Sequence, residues 1–217
     1  ALAHAKYLNL NRQQAAAWPD AHEQNEDRKG FTPAGSWAGA HAVIAPGVAG
    51  PEEAIDAWMG SVYHRVPLIN PGLVRIGWGM ERRMAVLDSG SMVNNTAVSR
   101  WGMWPPNGAK KPPTAFSPEL PHPVPGRDQG AFGYPITIQH FENDEIVRVP
   151  RMRLYLGAVA EGTPVGCYLS TPSHPTNPEL VPPGTSCLIP KGHLKSGATY
   201  TVVAETEDGL SFTWRFS

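Results

Sequence analysis

Two short stretches of this 217-residue sequence carry side chains that could do chemistry. His22-Glu23 places an imidazole beside a carboxylate, the groups from which a general base is commonly built. Tyr63-His64-Arg65 lies between a helix-like segment and Pro67, so a short, stiff connection presents an imidazole and a guanidinium together. Arg65 could bind a carboxylate or phosphate through two nitrogens, or it could pair with an acidic side chain of the same protein. Each of the two stretches could therefore belong to a functional site or to a solvated surface.

Several well-known catalytic motifs are absent from the sequence. His22-Glu23 is followed by Gln24-Asn25-Glu26, so no second imidazole stands one helical turn later as in a His-Glu-x-x-His zinc site. The chain also has no Gly-x-Ser-x-Gly elbow, no Walker A loop and no Gly-x-Gly-x-x-Gly turn. These absences disfavour the familiar hydrolase, nucleotide-binding and dinucleotide-binding classes.

The elements around the Tyr63-His64-Arg65 stretch can be predicted from its neighbours. Pro51 and the acidic residues after it indicate the start of a helix. A stripe at helical spacing predicts that this helix is packed, and it consists of Ile55, Trp58, Met59 and Val62. Alternating residues predict a strand over 74–80, paired with a second strand over 84–88 across the turn 81–83.

The chain before Pro51 is predicted to be helical at first and irregular after that. Frequent Ala, Leu and Gln predict a first helix over residues 1–17, which ends at Trp18-Pro19-Asp20. Residues 20–30 are charged and predict an exposed loop. Residues 30–50 predict a short helix and a connection, with Phe31, Trp37, Val43 and Ile44 packed on the core.

The residue pattern of the second half of the chain changes at two points. Residues 101–127 hold eight prolines and almost no periodicity, which predicts an extended linker. Beyond Tyr134, alternating residues and turn signals predict an antiparallel sandwich. The seven predicted strands are 136–141, 146–149, 152–156, 164–169, 185–189, 199–205 and 210–216. We therefore expect a first domain over 1–100, a proline-rich linker over 101–130 and a β-sandwich over 131–217.

The first half resembles the bacterial branch of the CAP superfamily, the SCP-like or allergen V5/Tpx-1-related domains. The residues that carry this resemblance are the run A-x-x-x-W-M-x-S-x-x-H-R at 54–65, the I-G-x-G at 76–79, His4-Ala5-x-Tyr7-Leu8, His22-Glu23 and Val43-Ile44-Ala45. The stretch from Leu194 to Phe216 is similar to the last strands of bacterial Ig-like or fibronectin-III-like modules, with Tyr200 in a tyrosine-corner role. The implied fold class is α+β, an α-β-α layered CAP-type domain plus an all-β Ig-like sandwich.

The resemblance also implies a cleft. His22 and His64 match the two family histidines, and Arg65 and Tyr63 flank the second one. Two imidazoles with carboxylates would suit a divalent cation such as Zn²⁺. The chain departs from the family by placing Ala42 and Ser61 where its carboxylates would be, and His41 could substitute with Glu23 alongside.

The cysteines indicate the cellular compartment of the protein, and its net charge indicates which partners it can attract. Cys167 and Cys187 are the only cysteines, and the proline-rich loop between them favours a disulfide over two buried thiols. We therefore expect an exported protein, secreted or on the cell surface, whose signal peptide is absent from this chain. The net charge of -1 gives no global field for nucleic acid or an anionic membrane. No transmembrane segment is predicted, because no run reaches about 18 apolar residues.

Two functions are expected from these observations. The first is a binding or structural module that recognises an unknown extracellular ligand or protein through a degenerate histidine cleft. The alternative is a metal-assisted hydrolase of peptide or cell-wall substrates, with His22, His41 and His64 as ligands and Glu23 as the general base. The missing carboxylate at Ala42 favours the first.

Overall fold

The computed structural model describes residues 1–13, 19–94, 100–141, 148–157 and 162–217. The chain divides into two units. Unit 1 comprises Ala1–Met59 and Leu73–Asn94, and unit 2 comprises Gly60–Gly72 and Asn95–Ser217. The predicted domain boundaries at residues 100 and 130 remain a prediction about independently folding parts.

Unit 1 packs three helices with one small antiparallel sheet. The helices are α1 Leu2–Leu10, α2 Pro33–Ala40 and α3 Pro51–Met59. The strands are β1 Ala42–Pro46, β2 Gly77–Glu81 and β3 Met84–Asp88, in the order β1-β3-β2. Helix α1 is shorter than the predicted 1–17, and residues 14–17 lie outside the described part of the chain.

Helix α3 begins at Pro51 as predicted, with two glutamates in its first turn that complement the positive end of the helix dipole. Its buried residues are Ala54 and Trp58, and the indole of Trp58 packs edge-on against Trp78. Ile55 is 45% exposed, so the predicted apolar stripe is only partly correct. The helix ends before Gly60, which places Val62 outside it.

The β2–β3 hairpin agrees with the sequence prediction. Glu81 pairs with Met84 across a two-residue turn, and Arg82 within it has a positive φ of 54°. Residues 74–76, which were expected to begin the first strand, are exposed and lie before β2. Gly79 lies so close to α1 that a Cβ there would meet the backbone nitrogen of Leu2 at 2.1 Å, so only glycine fits this contact.

Unit 2 consists of one short helix, α4 Arg65–Leu68, and two four-stranded antiparallel sheets. The strands are β4 Arg100–Trp104, β5 Ile136–Phe141, β6 Arg151–Leu156, β7 Thr163–Pro164, β8 Cys167–Ser170, β9 Thr185–Pro190, β10 Tyr200–Glu205 and β11 Ser211–Phe216. The sheet orders are β11-β10-β6-β7 and β4-β5-β9-β8. Both sheets contribute side chains to one core, which includes Ile136, Ile138, Leu154, Leu188, Val202 and Trp214.

The proline-rich segment is packed in unit 2. Strand β4 pairs with β5 along its whole length, although its residues fall at the predicted start of the linker. Phe116 and Val124 are buried in a second apolar cluster with Phe132. Tertiary contacts therefore order a stretch whose composition predicts only an extended chain. The predicted strand 146–149 lies largely outside the described residues.

The fold class is mixed α+β with antiparallel, sandwich-like sheets, as the coarser part of the prediction states. The α-β-α layered CAP arrangement is wrong. The regular secondary structure of the described residues is mostly β, and their four α-helices have only four to nine residues each. None of the described helices is long and apolar enough to cross a membrane.

The predicted disulfide is also wrong, because Cys167 and Cys187 are both free thiols. Strands β8 and β9 pair Cys167 with Pro190 and Cys187 with Ser170, so the two cysteines are offset by three positions. Three strand residues span about 10 Å, which exceeds the separation of about 7 Å that a disulfide can bridge. The pairing register of the two strands keeps the thiols apart.

Candidate functional site

His64 and Glu119 form a buried pair in unit 2. Nδ1 of His64 donates to Oε2 of Glu119 at 2.9 Å, and the Glu119 side chain is only 1% exposed. The same carboxylate accepts the backbone N–H groups of Val62, Tyr63 and His64 at 2.7, 2.9 and 3.3 Å. Four donors therefore hold one carboxylate, and they fix the path of the chain just before α4.

The backbone of Glu119 is held as firmly as its side chain. The Gln129 amide accepts the N–H of Glu119 at 2.9 Å and donates to its carbonyl at 3.0 Å. The Gln129 side chain therefore makes the same pair of hydrogen bonds to the Glu119 backbone that a residue of a neighbouring strand would make. Sequence analysis missed Glu119, although an isolated acid in an apolar, proline-rich stretch is a usable signal for a buried carboxylate.

Arg65 is fully buried beneath this pair. Its Nη1 donates to the carbonyl of Pro135 and to Oγ1 of Thr137, and its guanidinium lies 4.6 Å from the centre of the Tyr134 ring. Burial lowers the pKa of Arg65, and the charge of Glu119 partly opposes that shift. The predicted role of Arg65 as an external clamp does not fit a side chain with no exposure. Arg65 instead supports the chain around His64.

Tyr63 lies half-buried beside the same carboxylate. Burial raises the pKa of Tyr63, and the charge of Glu119 raises it further, while a hydrogen bond with Asn177 acts in the opposite direction. The phenol therefore stays protonated at any physiological pH. Tyr63 can donate or accept a hydrogen bond, but it cannot serve as a base.

The imidazole of His64 reaches solvent, with its side chain 17% exposed. Because Nδ1 is engaged by Glu119, only Nε2 remains to act on another molecule. The hydroxyl of Ser61 lies 3.5 Å from Nδ1, on the nitrogen that already serves the carboxylate. In a Ser-His-acid relay the serine faces the opposite nitrogen, so these three residues do not form a nucleophilic triad.

His22 and Glu23 lie in unit 1, at the end of a short 3₁₀ turn over Asp20–His22. Nδ1 of His22 contacts the carbonyl of Gly39 at 3.1 Å. Glu23 lines a polar surface pocket of about 520 Å³ together with Asp20, Gln24 and Arg28. The contact of His22 with Gly39 is therefore structural, and Glu23 lies at the solvent-exposed rim of the pocket.

His4, expected to be a packing residue, is buried and fully hydrogen-bonded. The N–H of Thr32 donates to the Gln24 side-chain oxygen at 3.0 Å, so the Gln24 amide nitrogen must donate to Nδ1 of His4, also at 3.0 Å. Nε2 of His4 then carries the proton and donates to the carbonyl of Ala21 at 2.8 Å. Burial lowers the pKa of His4, which agrees with a neutral ring.

His41 belongs to an exposed aromatic group in unit 1. Its ring stacks on the indole of Trp37 with centroids 4.4 Å apart, and its Nδ1 donates to the carbonyl of Trp37 at 2.7 Å. The indole N–H donates to the Ser91 hydroxyl at 2.9 Å, and that hydroxyl donates to Asp88 at 2.6 Å. We call Trp37, His41, Asp88 and Ser91 the Trp37 platform.

Trp37 is 61% exposed, although the sequence predicted that it packs on the core. Helix α2, capped by Thr32 and begun by Pro33, fixes its backbone. The His41 ring covers one indole face, so the exposure falls on the opposite face and the edges. Because the carbonyl of Trp37 can only accept, Nδ1 of His41 carries a proton, and in the neutral ring Nε2 is an acceptor. The platform therefore offers an apolar ring beside a hydrogen-bond acceptor.

The predicted metal ligands His22, His41 and His64 are divided between the two units. His22 and His41 are in unit 1, whereas His64 is in unit 2. Within the described ranges, no three His, Cys, Asp or Glu side chains are grouped so that they could hold a metal ion. A zinc site built from His22, His41 and His64 therefore stays a prediction.

Comparisons with known proteins add little. No protein-family model matches the chain, and no curated protein matches it. One similar solved structure is the archaellum periplasmic stator protein FlaG from Sulfolobus acidocaldarius, which is 18% identical over 42% of this chain and 90% of that chain, with a TM-score of 0.27. That score is too low for any conclusion about fold or function. With no matching family model and a mostly β structure, the assignment to the CAP superfamily followed by an Ig-like or fibronectin-III-like module is wrong.

Proposed function

We propose that the protein is a binding module and that the Trp37 platform of unit 1 receives its ligand or partner protein. The observation that carries this proposal is the 61% exposure of an indole that is held on one face and at its N–H. An exposed tryptophan normally costs free energy because water must surround apolar surface. A rigid exposed indole is therefore well suited to burial on binding, where tryptophan is a frequent hot spot.

The surroundings of the indole narrow the chemistry of the ligand. A flat apolar face accepts an aromatic ring or the C–H face of a sugar, and both bury area with little loss of side-chain entropy because Trp37 is already ordered. Nε2 of His41 can accept a hydrogen bond from a hydroxyl or amide donor at the edge of such a ring. Oligosaccharides and peptides with exposed aromatic residues both meet these requirements.

The metal-assisted hydrolase has less support than the binding module. Its expected ligands and its base Glu23 do not belong to any metal-binding group among the described residues. The His64–Glu119 pair orients an imidazole, but Ser61 lies at the wrong nitrogen for activation. Export has also lost its support, since Cys167 and Cys187 are free thiols and the family assignment is wrong. The proposal therefore concerns binding alone.

A direct test uses the indole N–H signal of Trp37 in protein NMR spectra. The protein is titrated with two probe panels, short oligosaccharides and tripeptides with a central aromatic residue. We expect members of at least one panel to shift the Trp37 signal and to be recovered chemically unchanged. Signals that stay fixed with both panels, or conversion of the probes into products, would count against the proposal.

A further inference from the structure

A second surface pocket of unit 1 has three arginines among its seven lining residues. Arg12 follows α1, while Arg82 and Arg83 form the β2–β3 turn. The pocket has a volume of about 430 Å³ and is completed by Asn9, Pro46, Gly47 and Met84. This volume lies within the range of about 300 to 1,000 Å³ that small-molecule sites occupy. None of its seven lining residues is acidic.

The positive charges of the three arginines have no salt-bridge partner among the described residues. Arg12 donates to the side-chain oxygen of Asn9 at 3.2 Å, and Arg83 donates through Nε to the carbonyl of Gly47 at 2.8 Å. Both acceptors are neutral. Within the part of the chain that the structure describes, no carboxylate forms a salt bridge with any of the three guanidinium groups. Like charges gathered around one concave surface favour an anionic guest.

Hydrogen bonds with Gly47 hold the side chain and the backbone of Arg83 in position. The N–H of Gly47 donates to the carbonyl of Arg83 at 2.6 Å, and Arg83 returns two side-chain hydrogen bonds to the carbonyl of Gly47. Arg82 has a φ of 54°, a left-handed conformation in which glycine or asparagine is favoured over arginine. Replacing Arg82 with glycine should therefore relieve the backbone strain and remove one positive charge. Weaker binding by this variant would then not be due to a loss of stability.

The neighbours of the arginines define the rest of the ligand. Pro46 and Met84 are cross-strand partners in β1 and β3, and both line the pocket, so it offers apolar side chains next to the charges. Guanidinium groups match the geometry of phosphate oxygens and can bind them through two nitrogens. We propose that this pocket binds a phosphate monoester attached to a short apolar group, supplied either as a free ester or as a lipid headgroup.

The first arm of the test titrates the ¹⁵N-labelled protein with hexyl phosphate, inorganic phosphate and hexanol. We expect hexyl phosphate to shift the amide signals of Gly47 and Met84 and to bind at least about tenfold more tightly than either fragment. No shift of these signals at about 10 mM hexyl phosphate would overturn the proposal. Equal affinity for hexyl phosphate and hexanol would also overturn it, because the arginines would then contribute nothing.

Three variants locate the binding. Arg12→Gln and Arg82→Gly should each weaken hexyl phosphate binding about tenfold, since each removes a charge-assisted contact. Arg153→Gln, which removes an exposed arginine on β6 of unit 2, provides the matched control and should bind like the wild type. Arg82→Gly should also unfold at no lower denaturant concentration than the wild type. Equal weakening in all three variants would show that binding depends only on the net charge of the protein. That result would overturn the proposal.

The second arm separates the two sources of the phosphate. Vesicles of phosphatidylcholine with phosphatidic acid are sedimented with the wild type and with Arg12→Gln. Sedimentation of the wild type that is lost in Arg12→Gln supports the proposal with a lipid headgroup as ligand. Hexyl phosphate binding without sedimentation supports it with a free ester as ligand. Sedimentation that survives in Arg12→Gln without any hexyl phosphate binding would overturn it.

Discussion

Glu119 accepts a hydrogen bond from Nδ1 of His64 at 2.9 Å, across 55 residues of sequence. The same buried carboxylate caps the N–H groups of residues 62–64 and lies near the buried charge of Arg65. Hydrogen bonds with Gln129 hold its backbone in place. One side chain from the proline-rich segment thereby organises the connection that precedes α4.

Glu119→Ala should destabilise unit 2 by about 3 to 5 kcal/mol, because it takes the nearby opposite charge from buried Arg65 and leaves three backbone donors, one buried and two part-buried, without their acceptor. Chemical denaturation followed by circular dichroism measures the change. Glu179→Ala, which removes an exposed carboxylate from the same unit, should change the free energy of unfolding by less than about 0.5 kcal/mol. Similar losses in the two variants would show that the His64–Glu119 network contributes little.

His4 should make the stability of unit 1 depend on pH. Burial lowers the pKa of His4 below its usual 6.5, so the unfolded chain binds the proton more readily than the folded one. The contribution of His4 is therefore fully present above about pH 6.5 and is lost as the pH falls through the folded-state pKa. Denaturation midpoints measured between pH 8 and pH 5 should show this decline.

The comparison that isolates His4 uses two variants. His4→Gln should flatten the decline below pH 6.5, because the titrating ring is removed. His174→Gln, which replaces an exposed histidine of unit 2, should keep the slope of the wild type. A slope that is the same in all three proteins would contradict a buried, neutral His4.

Cys167 and Cys187 should behave as two slow-reacting thiols. Burial raises the pKa of Cys167 to about 12 and that of Cys187 to about 11, so little thiolate is present at neutral pH. Iodoacetamide should modify the native protein slowly and the unfolded, unreduced protein promptly, with two added groups by mass spectrometry. Unfolded protein that takes up no label until a reductant is added would reveal a disulfide and contradict the strand register.

Local structure was predicted well where neighbouring residues determine it. The β2–β3 hairpin follows from alternation around Arg82 and Arg83, and the start of α3 follows from Pro51 and its acidic first turn. Burial was predicted less well. Ile55 and Trp37 were expected in the core but are 45% and 61% exposed, because their faces are determined by packing that a single segment does not encode.

Long-range relationships were not predictable from the sequence. The pairing of His64 with Glu119 and the burial of Arg65 depend on how the proline-rich segment packs in unit 2. Proline content indicates an extended chain, and an extended chain can equally be a linker or part of a packed unit. The expected disulfide failed for a related reason, since the register of β8 and β9 is invisible in the spacing of Cys167 and Cys187.

We propose that Trp37 provides most of the binding energy of the protein. The decisive measurement is the dissociation constant of the probe that most strongly shifts the Trp37 signal, for the wild type, Trp37→Ala and Leu210→Ala. Leu210 is a matched control because it is 50% exposed and lies in unit 2. The account predicts a loss of at least about thirtyfold in Trp37→Ala and no change in Leu210→Ala. Equal affinities in Trp37→Ala and the wild type would contradict it.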